Sequence, residues 1–151
     1  MQIPMVFKPK WDNTPRPLFA TDGSSGFDLH ADLGDSVVMA SYNPKVVIPT
    51  GVFIAVPKGY EMQVRSRSGM AAKYSVFVLN SPGTIDSDYR GEVMVILMNL
   101  SPDKYTIRPG DRIAQGVICP IIRPEFVFLK DFPEEDKITE RGTGKFGSTG
   151  L

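Results

Sequence analysis

One cysteine, one histidine, no net charge and no long apolar run each close off a class of function for this 151-residue chain. Cys119 has no partner for an internal disulfide, and its place in an apolar run reads as a buried, inert thiol. His30 and Cys119 together fall short of a zinc site, which needs three or more such ligands. A Ser-His-Asp triad would have to run through His30, which follows Asp28 by two residues in an alternating segment and reads as a strand histidine. The 17 basic and 17 acidic residues cancel, which argues against the basic face that duplex nucleic acid requires and leaves room only for a local basic pocket. The opening MQIPMVFKPK has no cleavable apolar core, and no run approaches the ~20 apolar residues of a membrane helix. The expectation is a cytoplasmic protein, or one of the host cytoplasm if the source is viral.

Helical periodicity is also scarce. Fourteen glycines and 13 prolines are spread along the chain at short intervals, which favours many short strands joined by turns. Strands are expected at Ile3–Lys8, Gly26–Ala31, Ser36–Ala40, Lys45–Ile48, Gly51–Val56, Glu61–Arg65, Val76–Leu79, Glu92–Asn99, Lys104–Ile107, Arg112–Ile122 and Phe126–Leu129, with one short helix at Gly69–Tyr74. The fold class is all-β, in one domain that buries roughly 70 % of its unfolded surface.

The densest polar chemistry lies in NSPGTIDSDYRGEV, Asn80 to Val93, mounted between two apolar runs. Asp86-x-Asp88 is not a calcium loop, because Arg90 and Leu97 stand where oxygen ligands belong. A glycosidase pair needs carboxyls roughly 5–9.5 Å apart, which spacing in sequence does not establish. A third reading pairs Asp88 with Arg90 to hold the turn and leaves Asp86 to polarise a water or hydroxyl. A fourth makes both acids ordinary turn residues.

Two further segments carry anion-binding residue types. Arg65-Ser66-Arg67-Ser68-Gly69 leads from a strand into the short helix, and reads either as a phosphate site or as a solvated turn with a serine cap. Near the end, Gly142-x-Gly144-x-x-Gly147 matches the dinucleotide fingerprint in letters but has no preceding strand or following helix, and Lys145 is followed by Phe146 and not by Ser or Thr, so a Walker loop fails too. Composition alone reads the tail as a flexible terminus. Its Arg141, Lys145, Ser148 and Thr149, with the lone aromatic Phe146, also suit phosphates and a stacked base.

Taken together, GSSGFDLHA (Gly23–Ala31), RSGMA (Arg67–Ala71), the Asn80–Val93 loop, GDRIAQGVICP (Gly110–Pro120) and RGTGKFGSTG (Arg141–Gly150) resemble the five motifs of the homotrimeric dUTP pyrophosphatases (dUTPases), in order and over most of the chain. The resemblance implies a distorted β-barrel or jelly-roll subunit (residues 1–132) with a mobile glycine-rich tail (133–151) that closes over an active site. It implies a homotrimer with sites at subunit interfaces, and hydrolysis of dUTP to dUMP and pyrophosphate with Mg2+ on the triphosphate. Carried over residue by residue, Asp86 orients the attacking water and Tyr89 packs under the deoxyribose. Asn80 and the Gly83, Thr84 and Ile85 turn read uracil. Arg67, Ser68, Gly69 and Gln115 bind phosphate, while Asp28 holds metal-bound waters. Arg141, Gly147, Ser148 and Thr149 close on the γ-phosphate, with Phe146 stacked on the base.

The chain departs from the family at Lys145, where a glycine is usual, at Ser66, where a proline is common, and at Phe27, where tyrosine or leucine is usual. Two rivals remain at this level. One is the related dCTP deaminase, which shares the fold and parts of the motifs; the other is a nucleotide-responsive binding protein without turnover.

Overall fold

The structure, a computed structural model of the chain, describes residues 1–40, 44–137, 139 and 142–144. Eleven strands and two short helices follow in chain order: β1 Met5–Phe7, β2 Phe27–His30, β3 Val37–Met39, β4 Lys45–Pro49, β5 Val52–Ile54, β6 Tyr60–Arg65, α1 Ser68–Tyr74, β7 Val76–Val78, β8 Gly83–Ile85, β9 Met94–Asn99, β10 Tyr105–Ile107, β11 Arg112–Pro120 and α2 Glu134–Lys137. All the strand pairings are antiparallel. They form four small sheets in a jelly-roll arrangement, ordered β1-β5, β10-β3, β4-β9-β7 and β2-β11-β6-β8, with no closed barrel among the described residues. Among those residues no helix is long and apolar enough to cross a membrane.

The sheet β2-β11-β6-β8 positions the polar segments because its strands alternate. Leu29, Met62, Val64 and Ala114 point into a core they share with Met39, Ile48, Val95, Leu97 and Ile107. Gly116 sits opposite Phe27 and must be glycine, since a Cβ there would lie 2.5 Å from the Phe27 ring. The other face carries Asp28, Gln115 and Arg65, which are direct cross-strand partners on β2, β11 and β6. A register shift between Arg112 and Ala114 turns Arg112 onto this polar face, opposite His30, although it is three residues from Gln115.

Three expectations need correction. Phe126–Leu129 is not a strand; it has no neighbouring strand among the described residues, and Phe126, Val127, Phe128 and Leu129 are exposed. Cys119 is only half-buried and lies 3.4 Å from Arg65 Nη2, on the polar face of β11. Arg90 does not pair with Asp88. Its Nη1 donates instead to the carbonyls of Ser87 (2.8 Å) and Tyr89 (2.7 Å), so the cation holds the turn through the backbone.

Candidate active site

Asp28 is the centre of one polar cluster. Its carboxylate faces Arg67 Nε at 3.6 Å and Arg112 Nη1 at 3.4 Å, and Arg67 Nη1 also donates to the Arg112 carbonyl at 2.9 Å. Two guanidiniums drawn to one largely buried carboxylate fix Arg67 where β6 hands over to α1. The helix cap there is Arg67 itself, extended at φ −85° and ψ 123°, with no side-chain cap. The serine-cap alternative is therefore not realised: Ser68 is the first helical residue, and while the Met70 N–H donates to the Arg67 carbonyl at 3.1 Å, the N–H groups of Ser68 and Gly69 are left for a ligand or solvent. A Cβ on Gly69 would meet nothing within 4 Å, so that helix start is open to a ligand. Gln115 stands beside Asp28 across the ladder, half-buried.

His30 adjoins this cluster. Its Nδ1 is buried without a hydrogen-bond partner, and burial, partly opposed by Asp28 and reinforced by Arg112 and Arg67, holds its pKa below the ordinary 6.5. The unfolded chain therefore takes up the proton first on acidification, so this contribution to stability is complete above pH 6.5 and declines below it. Thermal melts between about pH 7.5 and about pH 5.5 are expected to show a falling midpoint that His30→Gln flattens; an unchanged slope in the variant would assign it to other groups.

The second cluster is the Asn80–Val93 loop. Its middle, Gly83–Ile85, is a strand that pairs with Met62–Val64 of β6, and Asn80 Nδ2 lies against Gly83 so closely that a Cβ there would sit 3.0 Å from it. Thr84 lies opposite Gln63, on the polar face. After β8 the chain turns, with Tyr89 N–H donating to the Asp86 carbonyl at 3.2 Å. Asp86 is exposed, and its carboxylate has no hydrogen-bond or ion-pair partner among the described residues. Tyr89 is anchored by its hydroxyl, which donates to the Glu92 carbonyl at 2.9 Å, and its ring covers Gly91. Glu92 in turn accepts from the N–H groups of Thr50 (3.1 Å) and Gly51 (2.7 Å), which clamps the loop to the β4–β5 turn.

One chain does not bring the two clusters together. Ile85 pairs with Met62, and so Asp86 leaves the sheet level with Glu61, whereas Arg67 follows Arg65 at the far end of β6. Glu61 and Arg65 are four residue steps apart along the strand, roughly 13 Å. Arg141, Lys145, Phe146, Gly147, Ser148 and Thr149 lie outside the described residues. Sequence reasoning had not singled out Arg112 or Glu92. Arg112 shows itself only through the register shift, and Glu92 only through N–H donors supplied by a distant turn.

An all-β protein with an arginine-carboxylate cluster beside an open helix start, and a separate carboxylate–tyrosine loop, is suited to a phosphorylated ligand. The dUTPase family profile matches residues 12–150. The deoxyuridine 5'-triphosphate nucleotidohydrolase of Ehrlichia canis is 49% identical over 146 residues, covering 97% of this chain and 94% of the relative. That of a Wolbachia endosymbiont of Brugia malayi is 53% identical over 138 residues, covering 90% and 85%. Among solved structures, the Staphylococcus bacteriophage 80alpha dUTPase with dUPNHPP superposes with a TM-score of 0.79 at 28% identity, covering 99% of both chains. The dUTPase of S. aureus phage phi11, described with a structural Mg(II) ion, shares the fold (TM-score 0.73, 24% identity, 87% and 99% covered). The chain belongs to the dUTPase family.

Proposed function

We propose that the chain hydrolyses dUTP to dUMP and pyrophosphate in a site shared between subunits of a homotrimer. The observation that carries the shared site is the placement of Asp86 and Arg67 at opposite ends of β6, which leaves each cluster incomplete within one chain. A run of exposed apolar side chains, including Ile122, Phe126, Phe128 and Phe132, supports assembly, since surfaces of this kind are interaction sites.

In this reading the triphosphate lies on the Asp28–Arg67 cluster, where Arg67, the Ser68 and Gly69 backbone and Gln115 hold its oxygens. Phosphoryl chemistry asks mainly for positioning and charge stabilisation, which fixed guanidiniums and open N–H groups supply. Asn80 and the Gly83, Thr84 and Ile85 strand of another subunit receive the uracil edge. Tyr89 lies beneath the sugar and leaves no room for a 2′-hydroxyl. Asp86, exposed and uncommitted, accepts from the water that attacks the α-phosphate. The tail from residue 133, with Arg141, Phe146, Gly147, Ser148 and Thr149, closes over the substrate and excludes bulk water.

Among the described residues no group of three or more His, Cys, Asp or Glu side chains forms a protein cage for Mg2+. The residues fit an ion carried by the substrate phosphates, with Asp28 facing its waters, the usual habit of Mg2+. Bound there, Mg2+ would neutralise charge on the triphosphate.

Product analysis with dUTP, dCTP, dTTP and UTP, each with Mg2+, tests this. Release of dUMP and pyrophosphate from dUTP alone is the expected result. Ammonia from dCTP would identify a deaminase, and tight dUTP binding without turnover would identify a sensor.

Gly91 gives a second test. An added Cβ would lie 2.6 Å from Cζ of Tyr89, so Gly91→Ala must displace the ring. The expected result is a fall of roughly tenfold in kcat/KM for dUTP and a smaller preference over UTP, on the scale of a misplaced positioning group. Unchanged discrimination would remove Tyr89 from sugar selection.

A further inference from the structure

The chain leaves the Asn80–Val93 loop through Glu92 and Val93, and both are fastened to the turn between β4 and β5. The Glu92 carboxylate accepts two backbone N–H groups on one oxygen, Oε1: Thr50 at 3.1 Å and Gly51 at 2.7 Å. Thr50 adds its hydroxyl, which donates to the Val93 carbonyl at 2.6 Å, and the Val93 N–H donates to the Val52 carbonyl at 2.8 Å. The turn that receives these bonds is itself fixed. Thr50 and Gly51 are buried, and the carbonyls of Pro49 and Gly51 accept from the N–H groups of Asp32 (2.9 Å) and Lys8 (2.8 Å). Gly51 takes the left-handed conformation at φ +67°, and a Cβ there would lie 2.7 Å from Pro9 Cα, so only glycine fits.

The staple ends at Tyr89. Its hydroxyl donates to the Glu92 carbonyl at 2.9 Å, while the residue is 42 % exposed, so the hydroxyl bond does much of what packing does for a buried ring. Whatever sets the Glu92 main chain therefore sets the tilt of Tyr89. Glu92 has no ion-pair partner within 4 Å among the described residues. Both N–H groups converge on one of its oxygens, which asks for an acceptor of the right reach and not for a charge. A staple that served only the fold would, once cut, slow turnover of every substrate alike. One that holds Tyr89 changes the single choice that this ring makes.

We propose that Glu92, held by the Thr50–Gly51 turn, is a positioning residue that sets the Tyr89 ring and through it the choice of deoxyribose over ribose. The inference rests on the reading of Tyr89 as the surface beneath the sugar. Asn80 and the Gly83–Ile85 strand, assigned to the base, keep their own pairing with β6 and lie outside the staple.

The test compares Glu92→Ala, Glu92→Asp and Glu92→Gln in the full chain, with thermal melts for each. Readouts are kcat/KM for dUTP, UTP and dTTP with Mg2+, and the fluorine NMR signal of Tyr89 in protein carrying 3-fluorotyrosine. Tyr89→Phe assigns that signal among the five tyrosines. In Glu92→Ala the signal is expected to move and the preference for dUTP over UTP to fall about tenfold, the cost of a displaced positioning group, with the preference over dTTP within about twofold. Glu92→Asp keeps the charge but is one methylene too short, so it repeats the effect and stands in if the alanine variant does not fold. Glu92→Gln keeps the reach and restores both readouts.

Equal losses for all three substrates, or a glutamine variant no better than alanine, overturn the proposal by making the staple structural. An unchanged dUTP-to-UTP ratio in Glu92→Ala also overturns it, and Gly91→Ala then shows which premise failed. A ratio lost in Gly91→Ala but kept in Glu92→Ala defeats Glu92 alone, and one kept in both defeats the reading of Tyr89. If the unmodified chain does not turn over, the same ratio is read as calorimetric affinity for dUMP over UMP, with the same outcomes deciding.

Discussion

Asp86→Asn is expected to lower kcat for dUTP by about 10²–10⁴, the range typical of a lost general base, with no loss of folded structure. The exposed Asp86 carboxylate supports nothing within its own chain; the turn is held by its carbonyl, which accepts from Tyr89 N–H. An amide keeps that shape and loses the ability to accept a proton from water. Steady-state kinetics, thermal melts and sedimentation on the same preparation separate the two effects. Near-normal turnover would strip Asp86 of its role, and a collapsed melt would show that the carboxylate is structural.

Removal of the segment after Glu140 is expected to have an effect of similar size, about 10²-fold or more in kcat/KM, the scale on which oxyanion donors and water exclusion act. It removes Arg141, Phe146, Ser148 and Thr149 together. The hydrophobic core draws on residues from Ile3 to Ile118, so the melting temperature of the shortened chain should match that of the full one. Undiminished turnover by the shortened chain would remove the tail from the mechanism. Loss of folding would make the tail a structural element.

Much of this fold is legible in the sequence where side-chain alternation carries the signal. The expectations at Glu61–Arg65, Glu92–Asn99 and Arg112–Ile122 meet β6, β9 and β11 within two residues at each end. The signal fails where pairing depends on backbone alone. Gly83–Ile85 sits in a Ser-Pro-Gly-Thr string that reads as a turn, yet its main chain completes the sheet beside β6. It fails in the opposite sense at Phe126–Leu129, where strand-like residues have no neighbour to pair with among the described residues. The short α2 was hidden in an acidic run, and Lys137 ties it back to Asp131 at 3.0 Å and Glu134 at 2.7 Å.

The candidate site was legible as a set of segments, because each carries its own residue types, but not as a geometry. Asp28 reads in the sequence as a lone acid. Only the ladder shows it between two guanidiniums, and only the register shift brings Arg112 to it. Likewise, Asp86 and Arg67 are 19 positions apart in the chain, and nothing in that spacing tells that β6 and β8 carry them to opposite ends.

That opposition has a consequence for how damage is inherited by an assembly. If each pocket draws Asp86 from one chain and Arg67 from another, a chain that lacks one of these side chains spoils the pocket it would have completed, still serves another, and owns none outright. Two populations of inactive chains, one lacking the carboxylate and the other the guanidinium, would then hold between them the parts of a working pocket. In a cell carrying both, the phenotype would be set by how the chains mix and not by the worse of the two.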